Sequence, residues 1–186
     1  MKAILLAAIS AIGLGAGAQA ATIDVGPGTV SCFLSGTATG ADCQGIVSGP
    51  PTIYSSTSAT IYGIGANSEA NEAAFLNGLL GASTYGKNDV DKTDKGGANS
   101  ATYTVDSLYF LIKIGAGHAF FLNNSGQDID VTYQKKSGPA GAQGGLSHES
   151  QIGALPPVNV VPLPAGLPLL LAGVGAFAVL RRRKAA

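Results

Sequence analysis

The last 26 residues of this 186-residue chain do not read as part of a folded core, and setting them aside bounds what the rest can become. Val161, Pro162, Leu163, Pro164 and Ala165 lead into an uncharged apolar stretch, 166–180, and Arg181, Arg182, Arg183 and Lys184 close it. A short Pro-containing motif, one apolar span and a terminal basic cluster read as an address and an anchor. The span would be about 22 Å long as a helix, shorter than the roughly 20 residues that a full hydrocarbon core demands. Pro157, Pro162, Pro164 and Pro168 interrupt any upstream extension. The sequence therefore predicts one short anchor, with Arg181 to Lys184 as a stop-transfer cluster on the cytoplasmic side. A buried amphipathic helix is the alternative, and residues 167–180 carry no polar face to support it.

The other end reads as a signal peptide, 1–20. Lys2 supplies a positive n-region, residues 3–16 an apolar h-region, and Ala18-Gln19-Ala20 a small-x-small cleavage site. The mature chain would begin at Ala21. Between the ends lie an exported domain at 21–153 and a Pro-containing spacer at 154–160. The domain is large enough for a single core.

The tail resembles the PEP-CTERM class of bacterial sorting signals, and most closely its VPLPA-type variant. The resemblance rests on Val161, Pro162, Leu163, Pro164, Ala165 and Gly166, the Leu-rich span and the Arg cluster. It departs from the better-known Pro-Glu-Pro form. The resemblance implies recognition by an exosortase, a membrane transpeptidase of Gram-negative bacteria, and passage through the inner membrane to the surface. It also implies association with exopolysaccharide or biofilm matrix. Segments 71–81, 110–115, 118–122 and 145–148 are similar to the globular region of other cargo proteins of that class, where they look like a helix, a hairpin and a last strand.

Charge narrows the partners. Five of the eleven basic residues sit in the two ends, so the remainder keeps six lysines against eleven acidic residues, a net charge of −5. An acidic domain with no basic cluster argues against nucleic acid. Cys32 and Cys43 are an even pair in an exported chain and read as a disulfide. A metal or redox pair is the alternative; no CxxC supports it.

Small-residue, turn-rich composition with short apolar runs predicts a mainly β chain, a single small β-sandwich-like domain with one short helix. Strands are expected at 29–34 and 43–47, as a hairpin clipped by the disulfide, and at 52–54 and 59–62. The helix is expected at 68–80, capped by Ser68, with Glu69 and Glu72 in its first turn and Ala73, Leu76, Leu79 and Leu80 on one face. Residues 83–100 read as a polar loop. Residues 101–114, 118–122 and 128–134 read as a three-stranded meander, and 146–152 as a last strand.

Three groups could carry chemistry. Asp89, Asp91 and Asp94 could offer oxygens to calcium, but Thr93, Asp94 and Ser100 break the EF-type pattern, and a solvated loop is the plainer reading. His118 and His148 fit no hydrolase signature and read as ordinary strand residues. Without Trp, sugar stacking would fall to tyrosines, with Tyr85 the best exposed candidate. Asn123-Asn124-Ser125 reads as a turn. The expectation is no catalytic residue, no cofactor and no metal site. The expected function is an exported surface or matrix protein, with a carbohydrate-binding module as the alternative and a secreted hydrolase behind it.

Overall fold

The computed structural model describes residues 22–138 and 144–156. The expected signal peptide, the sorting motif Val161 to Ala165, the apolar span and the Arg181 to Lys184 cluster lie outside the described residues. Among the described residues no helix is long and apolar enough to cross a membrane.

The described residues are mainly β, with two antiparallel sheets and one α-helix. Its strands are β1 (Thr22–Asp24), β2 (Gly28–Leu34), β3 (Cys43–Ser48), β4 (Ile53–Ser55) and β5 (Ile61–Tyr62), then, after the helix α1 (Glu69–Leu80), β6 (Val90–Ala98), β7 (Ser100–Val105), β8 (Ser107–Ile114), β9 (Gly117–Asn123), β10 (Ile129–Lys135) and β11 (Leu146–Ala154). The first sheet has the order β1-β2-β10-β7. The second has the order β4-β3-β9-β8-β11-β6, with β5 paired to β9 beside β3. The two sheets pack face to face on an apolar layer that includes Val30, Val131 and Tyr133 from the first, and Phe110, Ile112 and Phe121 from the second. The helix covers the other face of the second sheet, where Leu76 and Leu79 meet Leu111, Phe120 and Ile152.

The period-2 rule explains why β8 and β9 serve both layers. Phe110, Ile112 and Ile114 point inward between the sheets, and Tyr109 and Leu111 point outward to the helix. Strands buried on both faces read as continuous apolar runs, as 108–112 does.

The expected meander is not formed. Residues 101–114 split at Asp106, so that β7 belongs to the first sheet and β8 to the second. In β7, exposed Thr102 and Thr104 alternate with buried Tyr103 and Val105, whereas β8 is apolar on both faces. A single flat strand cannot satisfy both patterns. The chain changes sheet again after β9, because β10 pairs with β2 and β7. The buried amide of Asn123 ties the two crossings together: its Nδ2 donates to the Ser107 carbonyl at 3.3 Å and to the Gln127 carbonyl at 2.9 Å.

The disulfide between Cys32 and Cys43 is present, but it does not clip a hairpin. Cys32 sits on β2 opposite Val131, and Cys43 on β3 opposite Asn123, so the bond joins the two sheets. The expected polar loop at 83–100 also differs. It forms a 3-10 turn at Lys87–Asp89 and the edge strand β6. Pairing with β11 supplies the ladder that the local propensity does not. The alternating Asp and Lys residues guard an exposed edge against pairing with other chains.

The helix forms as its sequence requires. Ser68 Oγ accepts from the Asn71 amide at 3.3 Å, and Gly81 ends it in the left-handed region at φ 65°.

Candidate functional site

Glu72 is the one fully buried carboxylate of α1, and it anchors a polar cluster under the helix. It lies on the apolar stripe, four residues before Leu76 and seven before Leu79, so the packing that buries those leucines also turns Glu72 onto the sheet. Beneath it the second sheet presents two rows of side chains. One row runs Tyr62, His118, Lys113, His148, and the next runs Phe120, Leu111, Ser150, Lys92.

A β-bulge aims His148 at the cluster. The register shifts between Leu146 and His148, so Leu146 faces the layer between the sheets while His148 faces the helix. In regular alternation these two would share a face; the extra residue, Ser147, reverses the phase.

Three donors converge on the Glu72 carboxylate. Lys92 Nζ and His148 Nε2 both reach Oε1 at 2.9 Å, and Ser150 Oγ donates to Oε2 at 2.7 Å. An ionised carboxylate only accepts, so His148 carries its proton on Nε2. Burial pushes the Glu72 carboxyl up, but the bonds from His148, Lys92 and Ser150 and the Lys92 charge outweigh it, holding the group at about 2. Lys92 makes a second bond, to the Asn67 carbonyl at 2.8 Å.

His118 completes the group without sharing in its bonds. Its Nε2 lies 3.9 Å from Glu72 Oε1, its ring centroid is 5.7 Å from that of His148, and neither ring nitrogen has a hydrogen-bond partner among the described residues. Burial lowers its affinity for a proton, to a value of about 4. Glu72 opposes this, and the nearby His148, Lys113 and Lys92 reinforce it. A buried polar atom left unpaired costs about 1–3 kcal/mol. Glu72, His118 and His148 each offer one atom, and those atoms all lie within 4.8 Å of one another. Two imidazoles and a carboxylate can hold a transition-metal ion or share a proton.

The residues singled out in the sequence fare differently. His118 and His148 are brought together, 30 positions apart in the chain. Asp89, Asp91 and Asp94 are not. Asp91 and Asp94 are three apart on a strand and face opposite ways, and Asp89 accepts from the Gly86 amide at 2.8 Å. Asp89 and Asp91 instead line a cleft of about 300 Å³ with Asp106 and Gln151. Tyr85 is not an exposed stacking platform. It is half-buried with its ring 5.9 Å from that of Tyr109, and it lies against Gly153, whose φ of 72° and missing Cβ leave room for the ring. None of the six tyrosines is exposed.

Glu72 was legible only as a first-turn acid. Its spacing from Leu76 and Leu79 is the signal that places it inward. No family model, curated protein or solved structure matches the chain.

Proposed function

We propose that this chain is exported, processed by an exosortase-type membrane transpeptidase, and displayed at the cell surface or in the extracellular matrix. There its β-sandwich would act structurally or adhesively with exopolysaccharide, and not as an enzyme. The observation that carries this reading is the Cys32–Cys43 bond between the sheets, since such bonds persist in oxidising compartments. The sequence of the two ends supports it further. In this reading the signal peptide leads the chain out, Arg181 to Lys184 hold the C-terminus at the cytoplasmic leaflet, and Val161 to Ala165 present the cleavage site.

The outer face of the first sheet suits contact with a hydroxyl-rich polymer. Thr22, Ser31, Thr132 and Thr102 stand in one row across all four strands. Thr102 and Thr132 share a hydrogen bond at 3.0 Å. That face favours the second reading, a carbohydrate-binding module, better than the tyrosines do. A secreted hydrolase has less support, because both histidines are closed over by the helix.

Intact mass of the endogenous protein in inner-membrane, outer-membrane and culture fractions tests the proposal. It expects a species beginning at Ala21 and lacking residues beyond about 165, found outside the inner membrane. A species that keeps Arg181 to Ala186 and stays in the inner membrane would reduce the tail to an anchor and remove the basis for surface sorting.

A further inference from the structure

We propose that Glu72, His118 and His148 form a binding site for one divalent transition-metal ion, of which Zn(II) is the best-fitting representative. The inference is independent of where the protein is sorted, and it rests on three observations.

The first is the donor set. Two imidazole nitrogens and one carboxylate oxygen suit Zn(II) once His148 takes the tautomer that carries its proton on Nδ1 and frees Nε2, and they leave a fourth position for water or another oxygen. The second is spacing. With metal–ligand bonds of about 2.0–2.1 Å in tetrahedral geometry, ligand atoms stand about 3.3 Å apart. Here Glu72 Oε1 is 2.9 Å from His148 Nε2 and 3.9 Å from His118 Nε2. These two distances straddle the requirement, and all three ligand atoms lie within 4.8 Å of one another, so side-chain shifts on the order of 1 Å close the set. The third is His118 itself. It is 1 % exposed, it is followed on its strand by the apolar run Ala119 to Leu122, and neither of its nitrogens has a partner among the described residues. A leucine would fill that position without an orphaned donor. An imidazole whose Nε2 already faces the carboxylate gains a partner when an ion sits between them.

The elements are held apart from the site's own interactions. His118 is fixed by the β5–β9–β8 pairing, His148 by the bulge on β11, and Glu72 by the leucines that dock α1. Such a frame holds ligands in place before an ion arrives. Lys92 is the competitor. It shares Glu72 Oε1 with His148, but its bond to the Asn67 carbonyl gives the ammonium a place to remain when an ion takes the carboxylate. Lys92 is thus expected to weaken binding rather than to assist it.

The test is Zn(II) titration of the full chain in detergent, after chelator dialysis, by calorimetry. Four proteins are compared: wild type, His118→Leu, Glu72→Gln and Lys92→Gln. The wild type is expected to take up one ion per chain. His118→Leu keeps the apolar layer filled, so it should remain folded, by circular dichroism, while its affinity falls at least tenfold. Glu72→Gln should fall similarly, and Lys92→Gln should bind as tightly as the wild type or more tightly. No saturable uptake by the wild type would overturn the proposal. So would uptake that survives His118→Leu, or uptake that Lys92→Gln weakens as much as His118→Leu does.

Discussion

The second sheet has two buried faces, and they are built on different rules. The face toward the first sheet is apolar at its centre, with Phe110 and Phe121 stacked at 4.8 Å, Ile112 between strands, and the Cys32–Cys43 bond joining the layers; its buried acid, Glu149 on β11, pairs with Lys95 at 3.5 Å. The face toward α1 begins in the same way, with Phe120 stacked on Phe75 at 5.6 Å and Tyr85 edge-on to Tyr109. It then turns polar, at His118, His148, Ser150 and Lys92 beneath Glu72. The same three strands, β8, β9 and β11, supply both faces, so the difference is not one of fold. The inner layer gains most from complete burial of carbon. The helix-side layer gathers a carboxylate, a lysine, a hydroxyl and two imidazoles in one cluster; Glu72 is satisfied there, but His118 has no partner among the described residues, and stability alone does not select that imidazole.

If the two layers differ in this way, changes to them should differ in size and in sign. The largest effect is expected inside. Phe121→Ala should cost about 4 kcal/mol, read as a lower urea midpoint with an unchanged slope. An effect below about 1 kcal/mol would mean that the inner layer is loosely packed. Replacing Cys32 and Cys43 together by Ala should cost about 3 kcal/mol, because the bond closes a loop with a sequence separation of 11. Reduction of the wild type should reproduce that loss.

On the helix side, Glu72→Gln keeps the shape but weakens the acceptor for Lys92, His148 and Ser150. It should cost about 2 kcal/mol, measured by the same denaturation in chelator. A neutral result would show that these donors find other partners.

Acid should act on this layer too. In metal-free protein His118 is held near 4, below its ordinary 6.5, so the unfolded chain binds the proton first. Its contribution is full above pH 6.5 and is lost as pH falls toward 4. Glu72, held near 2 below its ordinary 4.5, adds a second loss between pH 4.5 and 2. The charged and titratable neighbours of His118 are Glu72, His148, Lys113 and Lys92. Denaturation midpoints taken between pH 7 and pH 4 should fall for the wild type and fall less for His118→Leu. Parallel slopes would contradict the assignment.

The layers also differ in how far the sequence discloses them. The apolar alternation of 108–112 and the cap at Ser68 are local, and they lead directly to β8 and to α1. The sheet switch at Asp106 is not local: it depends on which strands lie alongside, so one continuous strand is the natural reading of 101–114. The span 83–100 is a strand only because β11 pairs with it. The cluster under the helix needs four elements to meet, and one of them is re-aimed by a bulge that no composition signals. Histidines 30 positions apart therefore read as unrelated strand residues. Glu72 was within reach, because its spacing from Leu76 and Leu79 puts it on the buried face, but an acid near a helix start has an ordinary dipole explanation that masks the rarer one.

Within the cluster under the helix, His118 is the side chain kept for binding at the expense of stability. The most direct measurement is the unfolding free energy of His118→Leu against the wild type in chelator at pH 7. A variant more stable by about 1 kcal/mol is expected, since an apolar side chain removes two buried nitrogens that have no partner among the described residues. A variant less stable than the wild type would mean that His118 supports the fold as it stands, and the contrast between the two layers would fail.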